Sequence, residues 1–292
     1  MPTPPDRSTQ ETFRDLIEAY RRTYGALADH LAEFLAVREG SKLATQLTLH
    51  PRHDPDREGH TIDRLCTAAG LHWTRYIRNG QHKFLIGREP IPAPTSDDDN
   101  PENRFSYPSC CVEAYTADPR EYYFLRHIGD LLAGDPSFAF AVNPFLVSTP
   151  LHVLSHYPCS LRCPKTLALA EHRLALIRTR VPKLHANLLS WNRAPAFFTD
   201  ICGIGLLFRG TRTGTRIDYH DLWYVGVPRE LARTSPSNTE ADFLLFDALV
   251  ASLQHGNALE LDAEELTVLS GEKVQARFPR PAHLTWRVVE FL

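Results

Sequence analysis

Four of the six cysteines of this 292-residue chain fall in two short motifs, Tyr107-Pro108-Ser109-Cys110-Cys111 and His156-Tyr157-Pro158-Cys159-Ser160-Leu161-Arg162-Cys163. Thiolates bind soft metals and attack electrophiles, so the clustering points to a metal centre or to thiol chemistry. Each group follows a Tyr-Pro pair and precedes a helix-like run. That would set the sulfurs at helix N-termini, where unpaired N–H groups and the positive dipole end stabilise anionic sulfur.

Four readings of these cysteines compete. Cys110, Cys111, Cys159 and Cys163 could converge on one iron–sulfur cluster, held by thiolates and by N–H bonds to sulfur. Adjacent cysteines tend to point apart, which suits two irons of a 4Fe–4S cluster better than two corners of one zinc. His156, three residues before Cys159, is a further candidate ligand to this metal. Alternatively a zinc ion takes His156, Cys159, Cys163 and one of the adjacent pair, since Cys-x3-Cys lies within structural-zinc spacing. A third reading is metal-free, with Cys110 or Cys159 a redox or nucleophilic thiol and a neighbour resolving it. In the fourth, all four pack helix starts as small apolar residues.

The pattern Tyr-Pro-x-Cys-Cys-Val-Glu (Tyr107 to Glu113), Asn-Pro-Phe (Asn143 to Phe145) and His-x-Pro-Cys-Ser-x-x-Cys (His156 to Cys163), running into Leu-Ala-Leu-Ala, resembles an uncharacterised prokaryotic family with a double-cysteine signature. The resemblance spans about Phe84 to Ala170. It implies that the two cysteine sites form one functional unit, and it supplies no reaction.

Polar residues around the motifs favour an enzyme. Glu113 is a candidate acid or base, and Arg162 and Lys165 are candidates for neutralising an anionic substrate or the cluster's charge. Bland roles compete: a carboxylate in a first helical turn is favoured by the dipole alone, Ser160 caps the following helix, and Arg162 and Lys165 face solvent. Ser109 and Asn143 also lie in or near the motifs. Cys66 and Cys202 read as core residues, with Cys202 a reserve ligand. His50 and His53 with Asp54 and Asp56 suggest a second metal but read more simply as solvated surface. Gly203 and Gly205 lack the third glycine and strand-to-helix context of a dinucleotide site. Serine-hydrolase signatures are absent, and so is the compact Cys-x3-Cys-x2-Cys run of radical enzymes using S-adenosylmethionine.

The elements that must position these residues follow from periodicity. Apolar residues at three-and-four spacing from Glu11 to Val37 predict one long helix ended by Gly40. Leu43 to Leu49 reads as a strand and His60 to Ala69 as a helix stopped by Gly70. Leu71 to Ile77 and His82 to Gly87 flank Asn79-Gly80 as a hairpin. Glu89 to Asn103, with four prolines and Asp97-Asp98-Asp99, predicts an exposed loop rather than a calcium site. Helices are expected from Tyr107 to about Leu132, with breaks, from Leu167 to Arg178, after Pro182 to Trp191, and from Asp242 to Leu253. Phe138 to Val147 is a short aromatic-rich run. Strands are expected at Ile201 to Phe208 and Thr215 to Tyr219, then a four-strand meander from Gly256 to Leu292.

The expected class is α+β. A long N-terminal helix with a small sheet (1–88) and an acidic, proline-rich loop (89–106) precede a helical part carrying the cysteines (107–192). A β-rich C-terminal part (193–292) follows, and the whole could be one compact domain. The 43% hydrophobic and 23% charged composition excludes collagen-like and disordered classes. A formal charge of −3 supplies no field for nucleic acid or an anionic membrane. With neither a spanning apolar run nor a signal-like start, the expected location is the cytoplasm, where six cysteines are too few for a disulfide scaffold.

The resulting expectation is an iron–sulfur enzyme, with a 4Fe–4S cluster on Cys110, Cys111, Cys159 and Cys163, acting as a small-molecule transferase or lyase. Sulfur transfer or insertion, desulfuration and Lewis-acid elimination are the candidate reactions. Its implied partners are a small-molecule substrate and an electron- or sulfur-donating protein. The alternatives are a zinc-stabilised interaction module and a metal-free thiol oxidoreductase.

Overall fold

A computed structural model of the chain describes residues 13–51, 53–94, 105–118, 127–132, 137–146, 149–199, 204–225 and 239–292. It combines helices and sheets in two units, each assembled from separated stretches of chain. One takes residues 14–119 and 146–188. The other takes Phe13 with the described parts of 120–145 and 189–292. Among the described residues no helix is long and apolar enough to cross a membrane.

In the first unit, the long helix expected from Glu11 to Val37 is divided into α1 (Phe13–Tyr24), a 3-10 turn (Gly25–His30) and α2 (Leu31–Arg38). Gly25 is the reason. Its backbone is left-handed at φ 58°, and a Cβ there would strike the Glu58 carboxylate. Glu58 Oε2 accepts the Ala26 N–H at 2.7 Å, standing in for a helical carbonyl.

Strand β1 (Ala44–Thr48), helix α3 (Pro55–Ala69), and strands β2 (His72–Arg78) and β3 (Gln81–Gly87) follow. Asp54 caps α3 by accepting the Asp56 N–H at 2.9 Å, and Gly70 ends it as expected. The strands form an antiparallel sheet in the order β1-β3-β2. Asn79 and Gly80, both at positive φ, make the hairpin turn. Central β3 buries Phe84, Leu85 and Ile86, and Phe84 and Ile86 join a core with Leu27, Phe34, Ile62 and Cys66. Residues 89–94 are irregular. Asp97, Asp98 and Asp99 lie outside the described residues.

Helix α4 (Ser109–Ala117) belongs to this unit. After the short α5 (Ile128–Leu132) of the other unit, α6 (Pro164–Arg180) completes it. Helix α6 packs on α2, and at their contact Arg173 pairs with Glu33, which also pairs with Lys42. All three side chains are buried. Charges taken out of water in this way are tolerable only when paired.

Helix α7 (Pro182–Asn192) carries the chain into the second unit. There β4 (Ser137–Phe138), β5 (Ala196–Thr199), β6 (Ile204–Thr213), β7 (Arg216–Val225), β8 (Ala258–Leu261), β9 (Glu265–Ser270), β10 (Lys273–Pro279) and β11 (Trp286–Phe291) form one sheet. Its order is β10-β9-β8-β7-β6-β5-β11-β4. All pairs are antiparallel except β11 with β4. The expected four-strand meander is realised by β8, β9 and β10, whereas β11 leaves it to pair with β5. Trp286, Val288, Val289 and Phe291 are buried, and so is every residue of β5. The two apolar strands therefore shield each other inside the sheet. Helix α8 (Glu240–His255) begins with a capping box between Thr239 and Asp242.

Candidate metal centre

The two cysteine motifs meet inside the first unit. Both are built by local geometry. Pro108 precedes α4, and its carbonyl accepts the Cys111 and Val112 N–H groups at 2.9 and 3.1 Å, which sets Cys110 and Cys111 in the first helical turn. In the second motif the Ser160 carbonyl accepts the Cys163 N–H at 3.0 Å. Cys163 then caps α6, with Pro164 at the first helical position, where a missing N–H costs nothing.

Cys110, Cys111, Cys159 and Cys163 place their sulfurs within 4.8 Å of one another, a set that could hold a metal ion. The Sγ atoms of Cys110 and Cys111 are 3.9 Å apart, and each lies 3.8 Å from that of Cys163. The adjacent pair, expected to point apart, therefore converges: the second motif lies over the start of α4 and both side chains turn to it. Cys111 and Cys163 are buried, Cys110 is half-buried and Cys159 is exposed.

A polar layer supports the buried sulfurs. Thr166 Oγ1, in the first turn of α6, lies 3.2 Å from Cys111 Sγ and 3.1 Å from His156 Nε2. The Cys159 N–H donates to Cys111 Sγ at 3.4 Å. His156 stands outside the group of four and reaches it through Thr166. Its ring packs on Tyr107 with centroids 5.2 Å apart. Tyr107 in turn places its hydroxyl 3.3 Å from Ser155 Oγ, and Lys42 Nζ lies 4.7 Å from its ring centre. The first motif is thereby tied to the buried Glu33–Lys42–Arg173 triad, and Arg173 donates to the Val153 carbonyl at 3.1 Å ahead of the second.

The electrostatics suit an incoming cation. Although the Cys159 residue is exposed as a whole, desolvation of its thiol, then the neighbouring sulfurs, pushes it up to about 12, and burial raises Cys111. At Cys163 burial is outweighed by hydrogen bonds from the Thr166 hydroxyl and backbone and from neighbouring thiols, which bring it down to about 6. Four sulfurs this close cannot all ionise alone, because each thiolate raises the others. A dication removes that penalty by replacing the protons. His156 is kept neutral, pushed down to about 3 by burial and then by Arg173.

Glu113, Arg162 and Lys165 are exposed and lie outside the group. Ser160 Oγ accepts the Arg162 N–H at 3.1 Å, a turn contact rather than the helix cap. Asn143 belongs to the other unit, where it donates to the Asn192 carbonyl and accepts the Phe145 N–H, both at 2.9 Å. His53 Nδ1 lies 3.1 Å from Glu58 Oε1, Asp54 caps α3 and Asp56 pairs with Arg75. Among the described residues the four cysteines are the one metal-capable group, so that histidine cluster supplies none. Cys66 is a core thiol, pushed up to about 12 by burial and then by Asp63. Cys202 and Gly203 lie outside the described residues, and Gly205 pairs within β6.

Thr166 went unnoticed in the sequence. Its one signal there is its position three residues after Cys163, which puts it in the first turn of the helix that cysteine caps. Against known proteins the chain has no match: no protein-family model, no curated protein and no solved structure aligns with it, so the functional reading rests on this geometry.

Proposed function

We propose that the protein binds a single tetrahedral metal ion, zinc, through Cys110, Cys111, Cys159 and Cys163, and that the ion joins the start of α4 to the turn before α6. One observation carries this reading. Four thiolates each about 2.3 Å from a common ion stand about 3.8 Å apart in a regular tetrahedron. The three Sγ separations among Cys110, Cys111 and Cys163, 3.8 to 3.9 Å, match that edge, and the Cys159 sulfur lies within 4.8 Å of each of them. Thiolates around a 4Fe–4S cluster radiate from different irons and stand farther apart by the width of the cluster. All-sulfur tetrahedral coordination is the habit of structural zinc, and second-layer hydrogen bonds of the Thr166 kind orient such ligands.

The iron–sulfur enzyme is the second reading, favoured by the Cys159 N–H directed at Cys111 Sγ, because N–H bonds to sulfur also support clusters. In it Glu113, Arg162 and Lys165 keep their roles beside a substrate. Oxygen-free purification with metal and acid-labile sulfide analysis tests the choice. About one zinc per chain without sulfide is expected. Several irons with matching sulfide would overturn the single-ion reading in favour of the cluster, and a metal-free protein would overturn both.

A further inference from the structure

The four sulfurs of the centre are not equivalent. Cys111 and Cys163 are 2% and 3% exposed. Cys111 Sγ receives the Cys159 N–H and adjoins the Thr166 hydroxyl, which His156 backs. Cys163 is fixed as the cap of α6. Cys110 is half-buried in the first turn of α4. Cys159 alone of the four is exposed, and it sits in a turn rather than a helix, with its own N–H spent on another sulfur. Hydrogen bonds and burial make a thiolate a poorer nucleophile, whereas a residue open to solvent is one a reagent can reach. A bound dication keeps sulfur deprotonated at neutral pH.

We propose, resting on the single-ion reading, that Cys159 is the reactive corner of the centre: a metal-activated thiolate that takes a group from a small, soft carbon electrophile, while Cys111 and Cys163 retain the ion. In the step the Cys159 sulfur gives an electron pair to the electrophilic carbon and forms an S–C bond. The carbon–leaving-group bond breaks with its pair going to the departing anion. No proton moves and nothing is oxidised, and the thiolate becomes a neutral thioether, a weaker ligand than before. This extends the site from a fastening to an acceptor for an alkyl group.

Metal-loaded protein treated with limiting iodoacetamide, with peptide mapping by mass spectrometry and metal content followed in the same samples, tests this. Cys159 is expected to be labelled roughly tenfold faster than Cys110, with Cys111 and Cys163 untouched while metal remains. Equal or faster labelling of any other member of the group, or no labelling of Cys159 in protein that holds its metal, would overturn the proposal and leave the single-ion reading standing. Protein that holds no metal, with all four cysteines reacting alike, would overturn both. Independently, Cys159→Ser should keep the ion and Cys163→Ser should lose it; the reverse order would overturn the division of roles.

Discussion

The unit that carries the cysteines buries a charged triad beside its rings, whereas the unit built on the eight-stranded sheet buries rings and, of its charges, Asp242 paired with His283. In the first, Glu33, Lys42, Arg173, His152, His156 and Thr166 are all withdrawn from solvent. In the second, Trp191, Phe197, Phe198, Phe208 and Phe291 are among the largest fully buried side chains. Edge-on contacts such as Phe145 with Phe291 at 5.9 Å and Phe197 with Trp286 at 5.7 Å knit that core. A ring needs a space of about its own shape, and neighbours of many types can supply one. A buried charge needs a particular partner at a particular place, and losing the partner leaves the full cost of desolvation. The cysteine unit is therefore specified more narrowly than the sheet unit, and it should fail sooner when one partner is removed.

The largest test of that contrast is removal of the proposed zinc ion. Structural zinc contributes apparent binding energies on the order of 10 kcal/mol. Chelation should accordingly raise amide exchange in α4 and α6 by about a hundredfold or more, while amides of β5 and β11 keep their protection. Hydrogen exchange read by mass spectrometry would show this, and equal loss in both units would erase the distinction drawn between them.

Next comes Glu33→Gln, which keeps the shape and removes the charge between Lys42 and Arg173. It should cost about 3–5 kcal/mol in urea denaturation. Phe198→Leu in the sheet unit should cost about 1–2 kcal/mol, because a smaller apolar side chain can be partly repacked. Similar losses for the two would mean that the ionic interior is no more exacting than the aromatic one.

Acid provides a third test. His156 is neutral in the folded protein, pushed down to about 3 by burial and then by Arg173, whereas in the unfolded chain it titrates near its usual value of about 6.5. Between those values the unfolded chain binds the extra proton, so stability falls as pH drops from about 6.5 toward 3 and is level above. From pH 7 to 5 this ring accounts for about 2 kcal/mol. His156→Gln should flatten that part of the denaturation profile, and an unchanged slope would show that the ring accepts a proton in place.

The smallest effect expected is that of Gly25→Ala, about 1–2 kcal/mol, from a left-handed backbone and the collision with Glu58. A melting temperature equal to wild type would show that the break between α1 and α2 does not depend on glycine.

Local signals were the legible part of this chain. Asn79-Gly80 announced the hairpin, Gly70 the end of α3, and the Tyr-Pro pairs the helix starts that bear the cysteines. The strand β5 was missed because all four of its residues are buried, so it shows no alternation. The break at Gly25 depends on a carboxylate at position 58, and the departure of β11 from the meander depends on β5, far back in the chain. At the centre, the cysteine residue types were legible, but the facing of Cys110 and Cys111, the interposition of Thr166 before His156 and the exposure of Cys159 were not.

The sequence by itself determined that thiols would gather at two helix starts, because capping, proline placement and turn chemistry act within a few residues. Only the tertiary structure decided that these starts bring four sulfurs within 4.8 Å of one another, a group that could hold a metal, and that Cys159 is the exposed residue of the four. Those outcomes follow from packing between segments some fifty residues apart, where α6 lies against α2 and the Glu33–Lys42–Arg173 triad holds both motifs in place.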